Sequence, residues 1–122
     1  MEVVNRNDVI PFITKDGSEI REILAPANSS LRNQSLAEAR VKSGKATREH
    51  YHIKTEEIYY ILEGRGRVAI EGEEREVGPG DAVVILPGRR HKIRNIGEGD
   101  LVFLCCCSPA YSHEDTVLTE DL

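Results

Sequence analysis

The sequence of 122 residues lacks the long apolar run and the block of basic residues that would mark two large classes of protein. Its longest apolar stretches, AVVIL and LVFLCCC, are far shorter than the roughly 20 residues that span a bilayer. The N-terminus, MEVVNRNDVI, lacks the pattern of a signal peptide. Lys and Arg number 16 against 21 Asp and Glu, a formal net charge of -5. We therefore expect a cytoplasmic protein that binds neither nucleic acid nor membranes.

Cysteines are few, and their spacing excludes two of their usual roles. The three are consecutive, Cys105 to Cys107, inside an apolar run, so no C-x-x-C pair exists. Because neighbouring residues of a strand point to opposite faces, a disulfide framework is not expected either. We expect all three cysteines to be small buried hydrophobic residues.

Long amphipathic helical patterns are missing as well, and short strand patterns take their place. From about residue 18 to 107, β-branched and aromatic runs alternate with Gly and Pro turns. This spacing predicts an all-β sandwich or barrel in a single domain, 1–122. The terminal segments, 1–17 and 108–122, are expected to be peripheral, over the barrel or against a second subunit. The predicted strands are SEIREIL, QSLAEARV, REHYHI, EEIYYILEG, GRVAIEG, EREV, DAVVIL, HKIRNIG and DLVFLCCC.

Two of the four histidines stand one residue apart in a predicted strand. His50 and His52 therefore project from the same face, because the side-chain period of a strand is two. A divalent ion of borderline hardness bound there also needs a carboxylate, which Glu56 or Glu57 can supply. An unbroken strand would turn Glu57 away, but a turn at IKT would let either glutamate return. The alternation of side chains along a strand therefore does not decide whether Glu56 or Glu57 is the ligand.

A third histidine follows a Pro-Gly turn further along the chain. In GDAVVILPGRRHKIRN, Pro87 and Gly88 form a tight turn after an apolar strand, and His91 opens the next strand. Three histidines and one carboxylate would hold a six-coordinate ion and leave positions for water or substrate. The fourth histidine, His113, lies near the C-terminus and is expected at the surface.

These residues resemble the two motifs of the cupin superfamily, G-x5-H-x-H-x3or4-E-x6-G and G-x5-P-x-G-x2-H-x3-N. The first motif spans residues 44–64 with every fixed position filled, and its spacing selects Glu57 as the carboxylate. The second motif spans residues 80–95. One position departs from it, because Leu86 stands where the motif prefers proline, with Pro87 beside it.

The resemblance implies a jelly-roll β-barrel, a double-stranded β-helix, that usually forms a homodimer. It also implies one divalent ion inside the barrel, held by four converging ligands: His50, His52, Glu57 and His91. Iron, manganese, nickel, zinc and copper all occur in such sites, and the ligand types do not choose among them. A small barrel can also hold one small-molecule ligand at its mouth.

The cupin barrel serves enzymes and non-catalytic proteins alike, so the fold alone does not give the function. We expect a metal-dependent oxygenase, decarboxylase, lyase or isomerase that acts on an organic acid or sugar derivative. The stretch from Gly88 to Asp115 also shows a short, patchy resemblance to the cupin part of type II phosphomannose isomerases. A sugar-phosphate isomerase is therefore one alternative, and a non-catalytic small-molecule or metal-binding cupin is the other.

Three further side chains are candidates for contact with a substrate. Tyr59 lies two residues after Glu57 and shares its face, so it is the catalytic candidate, with a core-filling role as the alternative. Arg21 and Arg40 lie on predicted strands, where an inward arginine could clamp a carboxylate or phosphate. The alternative for both arginines is a solvated or dimer-contacting face.

Overall fold

The computed structural model describes residues 1–120, and these form two antiparallel β-sheets. Residues 121 and 122, the end of the C-terminal segment predicted to be peripheral, lie outside the described residues. Within residues 1–120 no helix is long and apolar enough to cross a membrane. One 3₁₀ turn, Arg6–Asp8, precedes eleven strands in this range: β1 (Phe12–Ile13), β2 (Glu19–Leu24), β3 (Ser35–Val41), β4 (His50–His52), β5 (Glu56–Glu63), β6 (Gly66–Ile70), β7 (Glu73–Val77), β8 (Ala82–Ile85), β9 (His91–Asn95), β10 (Leu101–Ser108) and β11 (Thr116–Leu118).

The chain passes repeatedly between the two sheets. Sheet A has the order β1-β2-β3-β10-β5-β8, and sheet B has the order β11-β4-β9-β6-β7. From β3 onward, strands of sheet A and sheet B alternate along the chain, with only the β6–β7 hairpin staying in one sheet. Such winding between two facing antiparallel sheets is that of a jelly roll, which confirms the predicted all-β architecture.

The nine predicted strands correspond to β2 through β10, with ends that differ by two residues at most. The prediction does not contain β1 and β11, which lie in the terminal segments. Pairings of two or three residues carry too little alternation to be recognised in a sequence. Both strands lie at the edges of their sheets.

The side chains between the sheets change from polar to apolar along the strands. On β5 the inward residues are Glu57, Tyr59 and Ile61, separated by exposed neighbours. Strand β10 pairs with β5 so that Cys107 lies opposite Glu57 and Phe103 lies opposite Ile61. One end of the space between the sheets is therefore polar, and we call it the open end. The other is apolar, and we call it the closed end.

The closed end contains the hydrophobic core. Ile61, Ile93 and Leu101 are 0% exposed there. Burying a side chain of this size contributes about 1.5–3 kcal/mol relative to leaving it in water. The whole apolar cluster, which extends from this end towards Glu57, consists of Ala39, Val41, Tyr59, Ile61, Val68, Val77, Ile85, Ile93, Leu101, Phe103 and Cys105.

Gly64, the last glycine of the first motif, permits a close approach at the closed end. Its φ is +86°, and a Cβ added there would lie 2.6 Å from the carbonyl oxygen of Asp100. Any other residue would need both a left-handed backbone and a displacement of the facing chain. The glycine is therefore required by the path of the chain between β5 and β6.

The three cysteines do not share one environment. Cys105 and Cys107 are buried, but Cys106 is exposed. The expectation that all three are buried is therefore wrong for Cys106. The reason is the alternation of the strand, which turns the middle residue of any three to the opposite face of sheet A.

Candidate metal centre

Three histidines meet at the open end. Strands β4 and β9 are neighbours in sheet B, and their register places His50 directly opposite His91. His52 follows on the same inward face of β4. The potential ligand atoms of the three side chains all lie within 4.8 Å of one another, and each residue is at most 3% exposed. These three histidines could therefore hold a metal ion.

A turn between β8 and β9 holds His91 in this position. Gly88 has a φ of +79°, in the left-handed region that favours glycine. Its N–H donates a hydrogen bond of 2.7 Å to the carbonyl of His52. Leu86, which departs from the motif, is exposed, and its carbonyl accepts from the N–H of Arg89 at 3.3 Å. The substitution therefore leaves the turn closed.

Backbone carbonyls orient two of the three imidazole rings. The carbonyl of Arg48 lies 2.8 Å from Nδ1 of His50, and the carbonyl of Arg89 lies 2.9 Å from Nδ1 of His91. A carbonyl can only accept, so both Nδ1 atoms carry a proton. In the neutral ring the lone pair is then on Nε2.

A hydroxyl group on β11 orients the third ring. Oγ1 of Thr116 lies 3.0 Å from Nδ1 of His52 and donates its own proton to the carbonyl of Ser112 at 2.9 Å. Since that hydroxyl has one proton, it accepts from the ring, and Nδ1 of His52 is protonated. All three histidines thus have the tautomer in which Nε2 can bind a metal.

Glu57 completes the set of four predicted ligands. Residues 53–55 carry the chain from sheet B to sheet A, so the uninterrupted strand that would turn Glu57 away does not exist. Its Oε1 lies 3.2 Å from Nε2 of His52 and 3.6 Å from Nε2 of His91. The thiol of Cys107 donates to Oε2 at 3.2 Å and orients the carboxylate. Glu56, the other candidate, is exposed.

Burial and neighbouring charges set the protonation states of Glu57 and His50. Burial acts to raise the pKa of Glu57, but the hydrogen bond from His52 and the charges of His52 and His91, which exist when those rings are protonated, outweigh it and lower the pKa to about 2. Burial, followed by the charge of His91, lowers the pKa of His50. An ionised carboxylate and a neutral imidazole are the forms that bind metals.

The donor set fits a cation. The potential ligand atoms of the three histidines lie within 4.8 Å of one another, and Oε1 of Glu57 lies beside Nε2 of His52 and of His91. Within residues 1–120, Nε2 of His91 is the buried side-chain nitrogen or oxygen without a hydrogen-bond partner. A buried polar atom of this kind is costly unless something binds it. Nitrogen and carboxylate donors suit zinc, iron, manganese, nickel and copper, and the donor set does not select one.

A cavity of about 40 Å³ adjoins the histidines at the open end. That volume holds a few water molecules or a small ligand. Aromatic and apolar side chains form much of its wall, and Asp16, Glu22 and Glu57 are the charged groups along it. In the part of the chain that the structure describes, no lysine or arginine lines this cavity.

Tyr59 packs in the core and also lines the cavity, and its catalytic role stays a prediction. It is 2% exposed, lines the cavity and packs against Phe103 with ring centroids 4.6 Å apart. The centroid of His91 lies 6.0 Å away, with the two rings edge to face. Burial, followed by the charge of Glu57, raises the pKa of Tyr59 well above its usual value. Its hydroxyl therefore stays protonated and able to donate a hydrogen bond.

The two arginine candidates do not reach the cavity. Arg40 and Arg21 lie on the outer face of sheet A, because they alternate with the inward residues of β3 and β2. Arg40 donates to Asp100 at 2.8 Å, and Nε of Arg21 donates to the carbonyl of Val9 at 3.2 Å. The inward-clamp hypothesis is therefore wrong for both arginines. His113 is exposed, as expected.

Three residues near the site were not identified from the sequence. Cys107 and Thr116 contact the proposed ligands, and Asp16 places Oδ2 3.8 Å from Nε2 of His50. Asp16 and Thr116 belong to the terminal segments, outside both motifs. A carboxylate in a TKDGS turn and a threonine in an irregular tail have no spacing that relates them to a histidine on another strand. The pairing of Cys107 with Glu57 requires the register of β10 on β5.

The family model described as Cupin domain matches residues 37–107, more than half of the chain. The chain belongs to the cupin family. This cupin is 54% identical to the uncharacterized protein MJ1618 of Methanocaldococcus jannaschii over 110 residues, which are 90% of this chain and 88% of that protein. The resemblance seen in the two motifs is thereby confirmed.

Two other cupin comparisons bear on the chemistry. Over 81 residues the chain is 32% identical to a glucose-6-phosphate isomerase of Thermococcus litoralis, covering 61% of this chain and 43% of the isomerase. The crystal structure of a predicted oxalate decarboxylase from Thermotoga maritima superposes with a TM-score of 0.78 at 25% identity. That match covers 88% of this chain and 99% of the other. These relatives differ in their stated activities, so the family does not determine the reaction.

Proposed function

We propose that this cupin is an enzyme dependent on one divalent metal ion and acting on a small oxygenated metabolite, an organic acid or sugar derivative. One observation carries the proposal: three buried histidines converge beside a cavity, and a buried carboxylate lies against two of them. His50, His52, His91 and Glu57 would hold the ion, because each has its other polar atom occupied by a neighbouring group. Prior orientation of this kind is what metal sites require.

The surrounding residues supply the conditions for chemistry. A divalent ion bound here would polarise an oxygen of the substrate or lower the pKa of a bound water. The hydroxyl of Tyr59 stays protonated and can donate a hydrogen bond to a substrate oxygen. Phe12, Ile20 and Phe103 in the cavity wall restrict water at the site, which strengthens the electrostatic interactions there.

A non-catalytic binding protein is the second candidate. It is favoured by the small volume of the cavity and by its apolar wall, which leave little room for a substrate to rearrange. A sugar-phosphate isomerase has the Thermococcus litoralis relative as support. Within residues 1–120, however, the cavity wall has no lysine or arginine to bind a phosphate. We therefore place this alternative third.

The predicted homodimer and the cytoplasmic location stay predictions. For the dimer we propose the outer face of sheet A, where Ile58, Tyr60 and Val84 are 47%, 42% and 68% exposed. Contiguous exposed apolar groups often mark a contact surface. Light scattering of the wild type and of Ile58→Glu tests this, with a dimer expected for the first and a monomer for the second. If the wild type is a monomer as well as the variant, the assignment is refuted.

Metal analysis followed by turnover tests the proposed function. Protein purified without added metal should contain close to one divalent ion per chain by elemental analysis. A screen of small acids, sugars and sugar phosphates by thermal stabilisation then identifies ligands, because a compound that binds the folded form raises the Tm. Product formation that requires the metal supports the enzyme. Ligand binding without turnover supports the second candidate, and a chain that binds no metal refutes the first.

A further inference from the structure

Asp16 lies in the turn between β1 and β2, and one of its two carboxylate oxygens is fully engaged. Oδ1 accepts three hydrogen bonds: from the hydroxyl of Thr14 at 2.7 Å, from the hydroxyl of Ser18 at 2.6 Å and from the N–H of Ser18 at 2.9 Å. The three donors fix the plane of the carboxylate. Oδ2 is left facing His50, with Nε2 at 3.8 Å, which is too far for a hydrogen bond.

The backbone attaches this turn to the metal centre. The carbonyl of Asp16 accepts from the N–H of Arg48 at 2.8 Å, and the carbonyl of Arg48 in turn orients the ring of His50. Asp16 and His50 are therefore positioned by the same short segment. The side chain of Asp16 is 15% exposed and lines the cavity. Its free oxygen is thus placed both beside the histidines and at the space that a ligand would enter.

The charge around this oxygen limits which ligands it can accept. An ionised carboxylate offers acceptors only, so a ligand group beside Oδ2 must be a donor. Glu22 and Glu57 are the other charged side chains in the wall, and the described residues contribute no lysine or arginine to it. A bound divalent ion would not fully offset these three carboxylates, and no cationic side chain of the described residues lines the wall, so a second carboxylate or a phosphate would meet net negative charge. A hydroxyl group would instead form a charge-assisted hydrogen bond.

We propose that Asp16 selects the substrate of this cupin. Its Oδ2 accepts a hydrogen bond from a hydroxyl group of an uncharged ligand whose neighbouring oxygen would bind the metal ion held by the three histidines. The inference rests on the proposed function and narrows it to uncharged compounds with a hydroxyl group next to a second oxygen. Dicarboxylates and phosphate esters are disfavoured. Asp16 is thus a specificity-determining residue supplied by the N-terminal segment.

Two isosteric probes separate charge from shape. Glycolamide and glycolate both carry a hydroxyl group next to a carbonyl, but only glycolate is an anion. Calorimetric titration of the Mn²⁺-loaded wild type should give tighter binding of glycolamide than of glycolate. This comparison needs no variant, and tighter binding of glycolate by the wild type would overturn the proposal.

Asp16→Asn should reverse the preference, because the three donors at Oδ1 dictate how the amide is oriented. The carbonyl oxygen of the new side chain takes the place of Oδ1, and its NH₂ group then points into the cavity as a donor. We expect glycolamide to bind about tenfold more weakly and glycolate about tenfold more tightly, the range of one hydrogen bond to a charged group. If the ratio of the affinities for glycolamide and glycolate is the same in the variant and the wild type, the proposed role of Asp16 is refuted.

Glu22→Gln is the matched control, since it removes one negative charge from the same wall and leaves Asp16 in place. Its affinity for glycolamide should stay within about twofold of the wild type. If both variants shift the two affinities alike, the general field of the cavity selects the ligand and the proposal is wrong. Elemental analysis of each protein distinguishes a failure of this inference from a failure of the proposed function. A wild type that holds one ion but does not discriminate between the two probes refutes only this inference, whereas a wild type without metal refutes the proposed function and this inference with it.

Discussion

The open and closed ends of the space between the sheets are built from the same strands but bury opposite chemistry. Strand β9 begins with His91 at the open end and continues with Ile93 in the core, and β5 passes from Glu57 to Ile61 in the same way. The closed end gains stability from the burial of apolar side chains, together with hydrogen bonds of the buried Thr47 and Asn95. The open end buries lone pairs that repel one another until a cation binds. Stability and function are therefore separated along the length of each strand.

Removing a ligand should affect the open end only. His52→Ala deletes one of the three Nε2 donors, and we expect the variant to lose most of its bound metal, with an affinity at least about 100-fold lower. Thermal stabilisation by metal should vanish, while the β-type circular dichroism spectrum stays unchanged. The exposed His113→Ala is the control and should keep full metal content. Unchanged metal in His52→Ala would refute its assignment as a ligand.

Removing a core side chain should have the converse effect. Ile93 is 0% exposed, and Ile93→Ala should lower the free energy of unfolding by about 2–5 kcal/mol. Urea unfolding of the metal-free protein measures this change, and the exposed neighbour Arg94→Ala should stay within about 0.5 kcal/mol of the wild type. The folded variant should still bind one metal ion. Loss of metal affinity in parallel with stability would mean that the two ends are not separate.

Acid should destabilise the metal-free protein through the open end. The pKa of Glu57 is about 2 in the folded protein against an ordinary 4.5, so the unfolded chain takes up the proton first. The contribution of Glu57 is then complete above pH 4.5 and disappears as the pH falls towards 2. Its size is on the order of 3 kcal/mol. The lowered pKa of His50 acts in the same direction from its ordinary 6.5 downwards.

Urea unfolding between pH 7 and pH 3 checks this dependence. The wild type should lose stability in two stages, below about pH 6.5 and again below about pH 4.5. Glu57→Gln cannot ionise, so its second stage should be smaller than that of the wild type. Glu38 and Asp100, whose pKa values are lowered by hydrogen bonds from Arg6 and Arg40, account for part of what remains. Parallel profiles for the two proteins would show that Glu57 is not the group responsible.

The contact from β11 should have a smaller effect on the metal. Thr116→Val keeps the shape of the side chain but removes the oxygen that orients His52. We expect the affinity for Zn²⁺, measured by competition with a chelator, to fall about 10–100-fold. Thr119→Val is the matched control, because that exposed hydroxyl donates to Glu49 instead. An equal affinity for Zn²⁺ in both variants would show that Thr116 on β11 does not contribute to metal binding.

The smallest expected effect on metal binding comes from Cys107, with its exposed neighbour Cys106 as the control. Burial, followed by the charge of Glu57, keeps the pKa of Cys107 well above its usual value, so its thiol remains a donor to that carboxylate. Cys107→Ala should lower metal affinity by about tenfold or less, and Cys106→Ala should leave it unchanged. Iodoacetamide should modify Cys106 and spare the two buried neighbours. Rapid alkylation of Cys107 in the folded protein would contradict its burial.

The features that the sequence predicts well are those with a period or a fixed spacing. Alternation identifies β2 to β10, and the motif spacing selects Glu57 where parity alone leaves Glu56 open. His50 and His52 share a face because they are two residues apart in one strand, which holds whatever the rest of the chain does.

The features that the sequence does not predict depend on which face of a sheet meets which neighbour. The alternation of side chains along β2 and β3 can be recognised in the sequence, but it does not show whether Arg21 and Arg40 point inward or outward. Asp16 and Thr116 reach the histidines through contacts between segments far apart in the chain, and no local pattern encodes such a contact. The site was therefore predictable in its four proposed ligands and unpredictable in the residues that orient them.

Anomalous diffraction from crystals grown with Mn²⁺ tests the central claim most directly. The account predicts one anomalous peak per chain, coordinated by Nε2 of His50, His52 and His91 and by the carboxylate of Glu57. A structure refined from Mn²⁺-containing crystals with no peak at this position, or with the ion bound elsewhere, would contradict it.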